Sequence, residues 1–206
     1  LAWKKRPSAT DGFTVCTQSA AGVFFCFAAR LSFRIDGETA AAIHAARTRL
    51  RAVAPERLHK ELSGILCGRQ AAALLEEFSD VLFELIPELA PCQGFRQYNP
   101  HHTRDVWTHT LAVVDGVPPE EPLRLAALLH DAGKPATFFF DKNLVGHFYG
   151  HPAAGAAVTE EVLRRLRYDR ATAEFVTQLV AVHDRPIPDD LRGMRRMLAR
   201  LGAPVC

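Results

Sequence analysis

Histidines and aspartates able to share a metal ion recur at helix ends in the second half of the chain. They are His109 within DVWTHTLAVV, the pair His130-Asp131 within LLHDAGKP, His147 and His151 within GHFYGHP, and the pair His183-Asp184. Neutral imidazole and carboxylate suit divalent Mn, Fe, Co, Ni or Zn, and two such groups side by side at a helix end can both reach one ion over its edge. Four helices could then converge on one centre. Each signal alone has a plainer reading. His109 on an amphipathic helix is ordinarily a hydrogen-bonded structural group. His183-Asp184 suits a helix C-terminus, where a histidine complements the macrodipole. His147, in a Gly/aromatic loop, is as readily a surface residue as a ligand. In LLHDAGKP, Gly133 and Pro135 suffice to end a helix, by backbone freedom and by a missing N–H, so the His-Asp pair is what remains to be explained. Lys134 beside it is either a phosphate contact or a solvated post-helix lysine.

The elements that must position these groups read as helical from Glu38 onward. ETAAAIHAARTRLRAV has alanine-rich, 3.6-residue spacing; Pro55 launches ERLHKELSGILCG, with Leu58, Leu62, Ile65 and Leu66 on one stripe and Gly68 as its stop. QAAALLEEFSDVLFELI is a third amphipathic stretch, ending before Pro87. Residues 27–90 thus form a small helical module, and the Pro/Gly/Asn-bearing PCQGFRQYNPHH, residues 91–102, reads as a connection. Five further helices are expected at about 103–115, 121–132, 150–167, 169–183 and 188–201. TFFFDKNLVGHFYG is the one extended candidate, a lid-like loop or short hairpin. The fold class is all-α. Residues 1–26 show neither helical nor alternating period and stay unassigned.

At 206 residues and 48% hydrophobic, the chain can bury one or two ordinary cores. No apolar run reaches the 18 or so residues of a membrane span, so no membrane association is expected and the location expected is cytoplasmic. The five cysteines, Cys16, Cys26, Cys67, Cys92 and Cys206, are widely spaced with no CxxC, which argues for reduced thiols and against a disulfide framework or zinc knuckle. Residues 1–60 carry 10 Lys+Arg against 4 Asp+Glu, and the remainder 15 against 19. This N-terminal basic excess favours a nucleic-acid or phosphate-bearing partner.

Taken together, the histidine and aspartate positions resemble the HD superfamily of metal-dependent phosphohydrolases. QYNPHHTRDVWTHTL, LRLAALLHDAGKP, GHFYGHPAAGA and LVAVHDRPIP are similar, in order and spacing, to the HD region of bacterial CCA-adding tRNA nucleotidyltransferases. Upstream, FAARLSFRIDGETAAAI and APERLHKEL resemble that family's neck. The resemblance covers about residues 27–201. It implies a helical neck, residues 27–90, followed by an HD-type helical bundle, residues 91–206, with a mono- or dinuclear site. Its implied metal ligands are His109, His130, Asp131, His151 and His183, with His130, Asp131 and Lys134 as catalytic groups. Glu56, Arg57 and Glu61 match the neck's ERxxxEL pattern and would brace its helices or sit near nucleotide and RNA; a capping and i,i+4 charge arrangement explains them equally well. Arg30 and Arg34 are phosphate contacts or solvated arginines.

Two departures from the pattern shape the expectation. No GS motif or Asp-x-Asp pair precedes the neck, and GVFFC does not resemble the family's segment there, so Mg and CTP or ATP belong only to a missing transferase head. The family closes its HD site with an aspartate on a final helix, which is expected to lie past Cys206; Asp184, Asp189 or Asp190 could stand in, the last two more naturally as helix caps. The leading expectation is a tRNA 3′-end (CCA) processing fragment that binds tRNA and carries an HD phosphohydrolase region. The rivals are a stand-alone HD phosphohydrolase of nucleotides, cyclic phosphates or phosphomonoesters, and a non-catalytic RNA-binding remnant.

Overall fold

The computed structural model describes residues 35–99, 103–186 and 190–201; the expectations placed on residues 1–26, Arg30, Arg34 and Asp189 lie outside them. The described residues form ten α-helices, two short 3-10 helices and one two-stranded sheet, so the all-α expectation holds. No helix among them is long and apolar enough to cross a membrane.

One local device starts three of the helices. In α1 (Gly37–Ala46), α5 (Val106–Gly116) and α9 (Arg170–Val182), the preceding aspartate accepts from the backbone N–H of a threonine three residues on. The bonds are Asp36 to Thr39, Asp105 to Thr108 and Asp169 to Thr172, each 3.0 Å. Such caps satisfy an otherwise orphaned donor. They fix the first residue of α5, and hence the turn on which His109 points.

The first module departs from the expected three helices in two places. After α1 the chain tightens into a 3-10 helix, Arg47–Ala52, before α2 (Pro55–Leu66). The third stretch is broken at Phe78 into α3 (Ala71–Glu77) and α4 (Ser79–Leu85), with Phe78 at φ −109°, ψ 36°. That break buries the Phe78 ring beside Ile43 and Leu74, stacked on His44 at 4.9 Å. A cavity of about 580 Å3 opens here, lined by Leu50, Val53, Leu58 and Phe78 together with Arg47 and Arg57. Glu56 stands exposed in the first turn of α2.

A single buried cluster then runs from Leu62 and Leu66 through Ile86, Val106, Leu125, Leu128 and Leu163 to Val180, across both halves of the chain. It includes α6 (Glu121–Leu129) and α8 (His151–Arg165). Polar ties reinforce it: Tyr168 stacks on His59 at 3.9 Å and its hydroxyl lies 3.0 Å from Ser63 Oγ. Arg165 grips Glu88, in the second 3-10 helix (Pro87–Cys92), with two bonds of 2.6 and 2.8 Å. Burial works against the Glu88 carboxylate, but this guanidinium outweighs it and lowers its pKa. A lowered carboxyl pKa contributes stability that is present above the unfolded-state value and lost as pH falls through the folded one. Because the pair is partly exposed and screened, Glu88→Gln should cost about 1 kcal/mol at neutral pH. Urea denaturation should show that difference shrinking below about pH 4.

Candidate metal centre

Four helices bring the centre together. His109 lies on α5, His130 and Asp131 follow the end of α6, His151 is the first residue of α8, and His183 caps α9. Lys134 opens α7 (Lys134–Thr137), one short turn beyond Asp131. The turn between α6 and α7 passes so close to α8 that a Cβ on Gly133 would meet His151 O at 2.4 Å and Gly155 N at 2.5 Å. Gly133 sits at φ −81°, ψ −13°, an ordinary right-handed conformation. Its backbone freedom is therefore not what the position uses; the missing side chain is. Gly150, by contrast, does need left-handed backbone, at φ +83°, to lead into α8.

Three histidines are aimed by the same contact. His130 Nδ1 lies 2.8 Å from Ala127 O, His151 Nδ1 2.9 Å from Phe148 O, and His183 Nδ1 2.7 Å from Val180 O. In each, the carbonyl accepts the Nδ1 proton, which leaves Nε2 with its lone pair directed inward. Those nitrogens face the buried Asp131. His130 Nε2 is 3.1 Å and His109 Nε2 3.6 Å from Oδ2, while His151 and His183 Nε2 are 3.6 and 3.7 Å from Oδ1. Asp131 therefore belongs to two three-residue groups, one with His109 and His130 and one with His151 and His183, each with its ligand atoms within 4.8 Å of one another.

Two observations test whether a cation fits. His151 Nε2 and His183 Nε2 are 3.2 Å apart, and two bare lone pairs at that distance repel unless a proton or a cation lies between them. Asp131 Oδ2 is buried with the Lys134 ammonium at 2.8 Å and the His130 and His109 rings at 3.1 and 3.6 Å, and a carboxylate oxygen so placed still has a lone pair to offer an ion among the groups. The donor set, imidazole nitrogen with carboxylate oxygen, is that of a divalent transition metal. Burial tends to raise the Asp131 carboxyl, but the facing His130 and His183 and the Lys134 charge outweigh it and hold it far below the usual carboxylate range. Burial lowers His151; it opposes His183 too, but Asp131 and the Val180 carbonyl raise that ring.

Lys134 is buried, so the solvated alternative does not describe it. Its Nζ lies 2.8 Å from Asp131 Oδ2, donates to Gln97 Oε1 at 2.8 Å, and stands 5.3 Å from the Phe148 ring centre. Gln97, itself buried, donates in turn to Arg104 O at 3.0 Å. The stretch read as a connection thus supplies an inner residue of the centre, and nothing in the residue types of PCQGFRQYNPHH singled Gln97 out. His147 stays apart, with Nε2 3.2 Å from Asp141 Oδ2. Asp190 caps α10 (Leu191–Leu201), accepting from Gly193 N at 2.7 Å, and Asp184 is exposed. Glu56 and Arg57 lie on α2, in the other module. Burial and the nearby Asp131 charge push the Cys92 thiol up to about 12. Native-state alkylation should accordingly leave Cys92 unmodified, and mass spectrometry would detect a failure of that protection.

A family model described as "Probable RNA and SrmB- binding site of polymerase A" matches residues 32–92, and an HD domain model matches residues 101–201. The chain is 39% identical over 157 residues to the CC-adding tRNA nucleotidyltransferase of Thermus thermophilus, an alignment covering 71% of this chain and 36% of that protein. It is 33% identical over 187 residues to the A-adding tRNA nucleotidyltransferase of Deinococcus radiodurans, covering 84% and 43%. With the Multifunctional CCA protein of Ralstonia nicotianae it shares 31% over 183 residues, covering 84% and 38%. The chain spans less than half the length of each of these relatives.

Proposed function

Because the chain belongs to the tRNA nucleotidyltransferase family and carries its RNA-binding segment and HD domain, we propose that it serves tRNA 3′-end (CCA) processing through metal-dependent phosphoester hydrolysis. The observation that carries this reading is the convergence of four histidines on the two oxygens of buried Asp131. His109, His130, Asp131, His151 and His183 would hold the ion or ions, with Mn, Ni, Co, Fe or Zn as the suitable class. A divalent ion held there supplies Lewis acidity toward a phosphoryl oxygen and toward water. Asp131 presents one oxygen to each histidine group, and Lys134, clamped by Gln97, keeps that carboxylate ionised and oriented. His109 and His183 are the more exposed ligand candidates, with side chains 34% and 21% accessible, so a phosphate ester reaches the centre from their side.

The expected substrates are phosphate esters of nucleotides, including cyclic phosphates, and the expected partner is tRNA. Nucleotidyl transfer, with Mg and CTP or ATP, belongs in this reading to a head domain distinct from the residues described. In the first module, Glu56 and Arg57 on α2 are proposed to brace the neck and approach RNA, with binding that weakens steeply as salt rises. The purified chain, loaded separately with Mn, Ni or Co, should hydrolyse 2′,3′-cyclic AMP. His130→Ala should reduce that rate to background. Hydrolysis by the variant at the unchanged rate would exclude this centre as its source.

A further inference from the structure

Apart from Leu191, every large apolar side chain exposed among the described residues stands in or beside one hairpin: Tyr98, Phe139, Phe140, Leu144 and Tyr149. The hairpin pairs β1 (Phe139–Phe140) with β2 (Gly146–His147) in antiparallel register, Phe139 opposite His147. Alternation along an extended strand sends successive side chains to opposite faces. Phe148 is buried against the Lys134 ammonium, and its carbonyl holds His151. Its neighbours His147 and Tyr149 lie on the other face, stacked at 5.2 Å and 25°. Phe139 lies 5.5 Å from His147 and 5.4 Å from Tyr149, so the three rings form a compact aromatic cluster in which Tyr149 remains 74% exposed. Beside it, Tyr98 packs on Phe140 at 5.2 Å, in a loop tied to the hairpin by Gly146 N donating to Tyr98 O at 2.7 Å.

Core packing does not account for rings that face outward, and a cluster of exposed ring faces offers another flat ring a surface to stack on. The charge around it also selects a partner. Arg96 and Arg104 lie on either side of Tyr98 in sequence and Lys142 lies in the hairpin turn; all three are exposed, while the turn's carboxylate, Asp141, is taken up by His147 Nε2 and the backbone N–H groups of Asn143 and Val145. Exposed rings with exposed cations are the combination that holds single-stranded nucleic acid, rings for bases and cations for phosphates. An apolar protein face would leave those cations without a counter-charge.

We propose that this hairpin is a stacking platform for the unpaired bases of a single-stranded RNA end, which it delivers to the metal centre immediately behind it. The delivery step rests on the hydrolase reading given above; the platform itself does not. The test is fluorescence anisotropy of the full chain with a labelled single-stranded RNA hexamer in EDTA. Tyr149→Ala and Phe139→Ala should each weaken binding by about tenfold, and Tyr149→Trp should retain it. Circular dichroism checks that each variant stays folded. Equal affinity of both alanine variants and the unchanged chain would overturn the platform. So would displacement of the hexamer by AMP as readily as by unlabelled hexamer, which would make the occupant a free nucleotide. Ring-dependent binding by a chain that hydrolyses no cyclic nucleotide with any of the three metals would remove the hydrolase reading and leave the platform.

Discussion

Asp131→Ala should abolish divalent-metal binding and, in metal-free protein, destabilise the fold by about 3–5 kcal/mol, because the buried Lys134 ammonium loses the carboxylate 2.8 Å from it and keeps only the neutral Gln97 Oε1. Both three-residue groups lose their shared carboxylate in one step. Removing a residue that only supports a ligand typically lowers metal affinity 10- to 100-fold, so loss of this shared ligand should exceed about 100-fold. Calorimetric titration with Co(II) measures the first effect and urea denaturation in EDTA the second. Pairing Asp131→Ala with Lys134→Met separates them: the double variant recovers stability by removing the stranded charge, but recovers no metal binding. Undiminished Co(II) affinity in Asp131→Ala would exclude this carboxylate from the centre.

Gly133→Ala is the second large effect, and its sign discriminates between two accounts of the same residue. Were Gly133 present for helix-ending freedom alone, alanine at φ −81°, ψ −13° would be tolerated and would stabilise by about 0.4–1 kcal/mol through the unfolded chain. The new Cβ instead meets backbone atoms of His151 and Gly155 at 2.4 and 2.5 Å, which cannot swing aside. The turn and α8 must separate, at about 1–3 kcal/mol or more. His151 moves with α8, so Co(II) affinity should fall together with the denaturation midpoint. A more stable variant with unchanged affinity would show that the approach is looser than these distances.

Much of this architecture was legible because it is local. The helices after Pro55 follow their apolar stripes, and three Asp-x-x-Thr starts are visible in IDGET, DVWT and DRAT. The convergence of His109, His130, Asp131, His151 and His183 followed from family resemblance, since spacing along the chain says nothing by itself about four helices meeting. What stayed hidden was set by contacts distant in sequence. Gln97 reaches Lys134 across 37 positions, and no property of a loop glutamine announces that. Phe78 breaks a continuous helical stripe while its ring packs with Ile43, far upstream. Gly133 read correctly as special but for the wrong reason, because a close approach between backbones leaves no mark on the sequence beyond the glycine itself.

The aiming of the three rings has a consequence for assembly. His130, His151 and His183 each take their orientation from a carbonyl three residues earlier, a contact that forms as soon as its own turn forms. Bringing the rings together is different, since it requires α6, α8 and α9 to dock. Ligand direction is thus settled early and cheaply by short-range order, and ligand convergence reports completion of the tertiary fold. A cation that recognises only the converged rings binds the native state and not the unfolded chain. It therefore acts on the folding equilibrium itself, worth about 2.7 kcal/mol at a free concentration 100 times its dissociation constant.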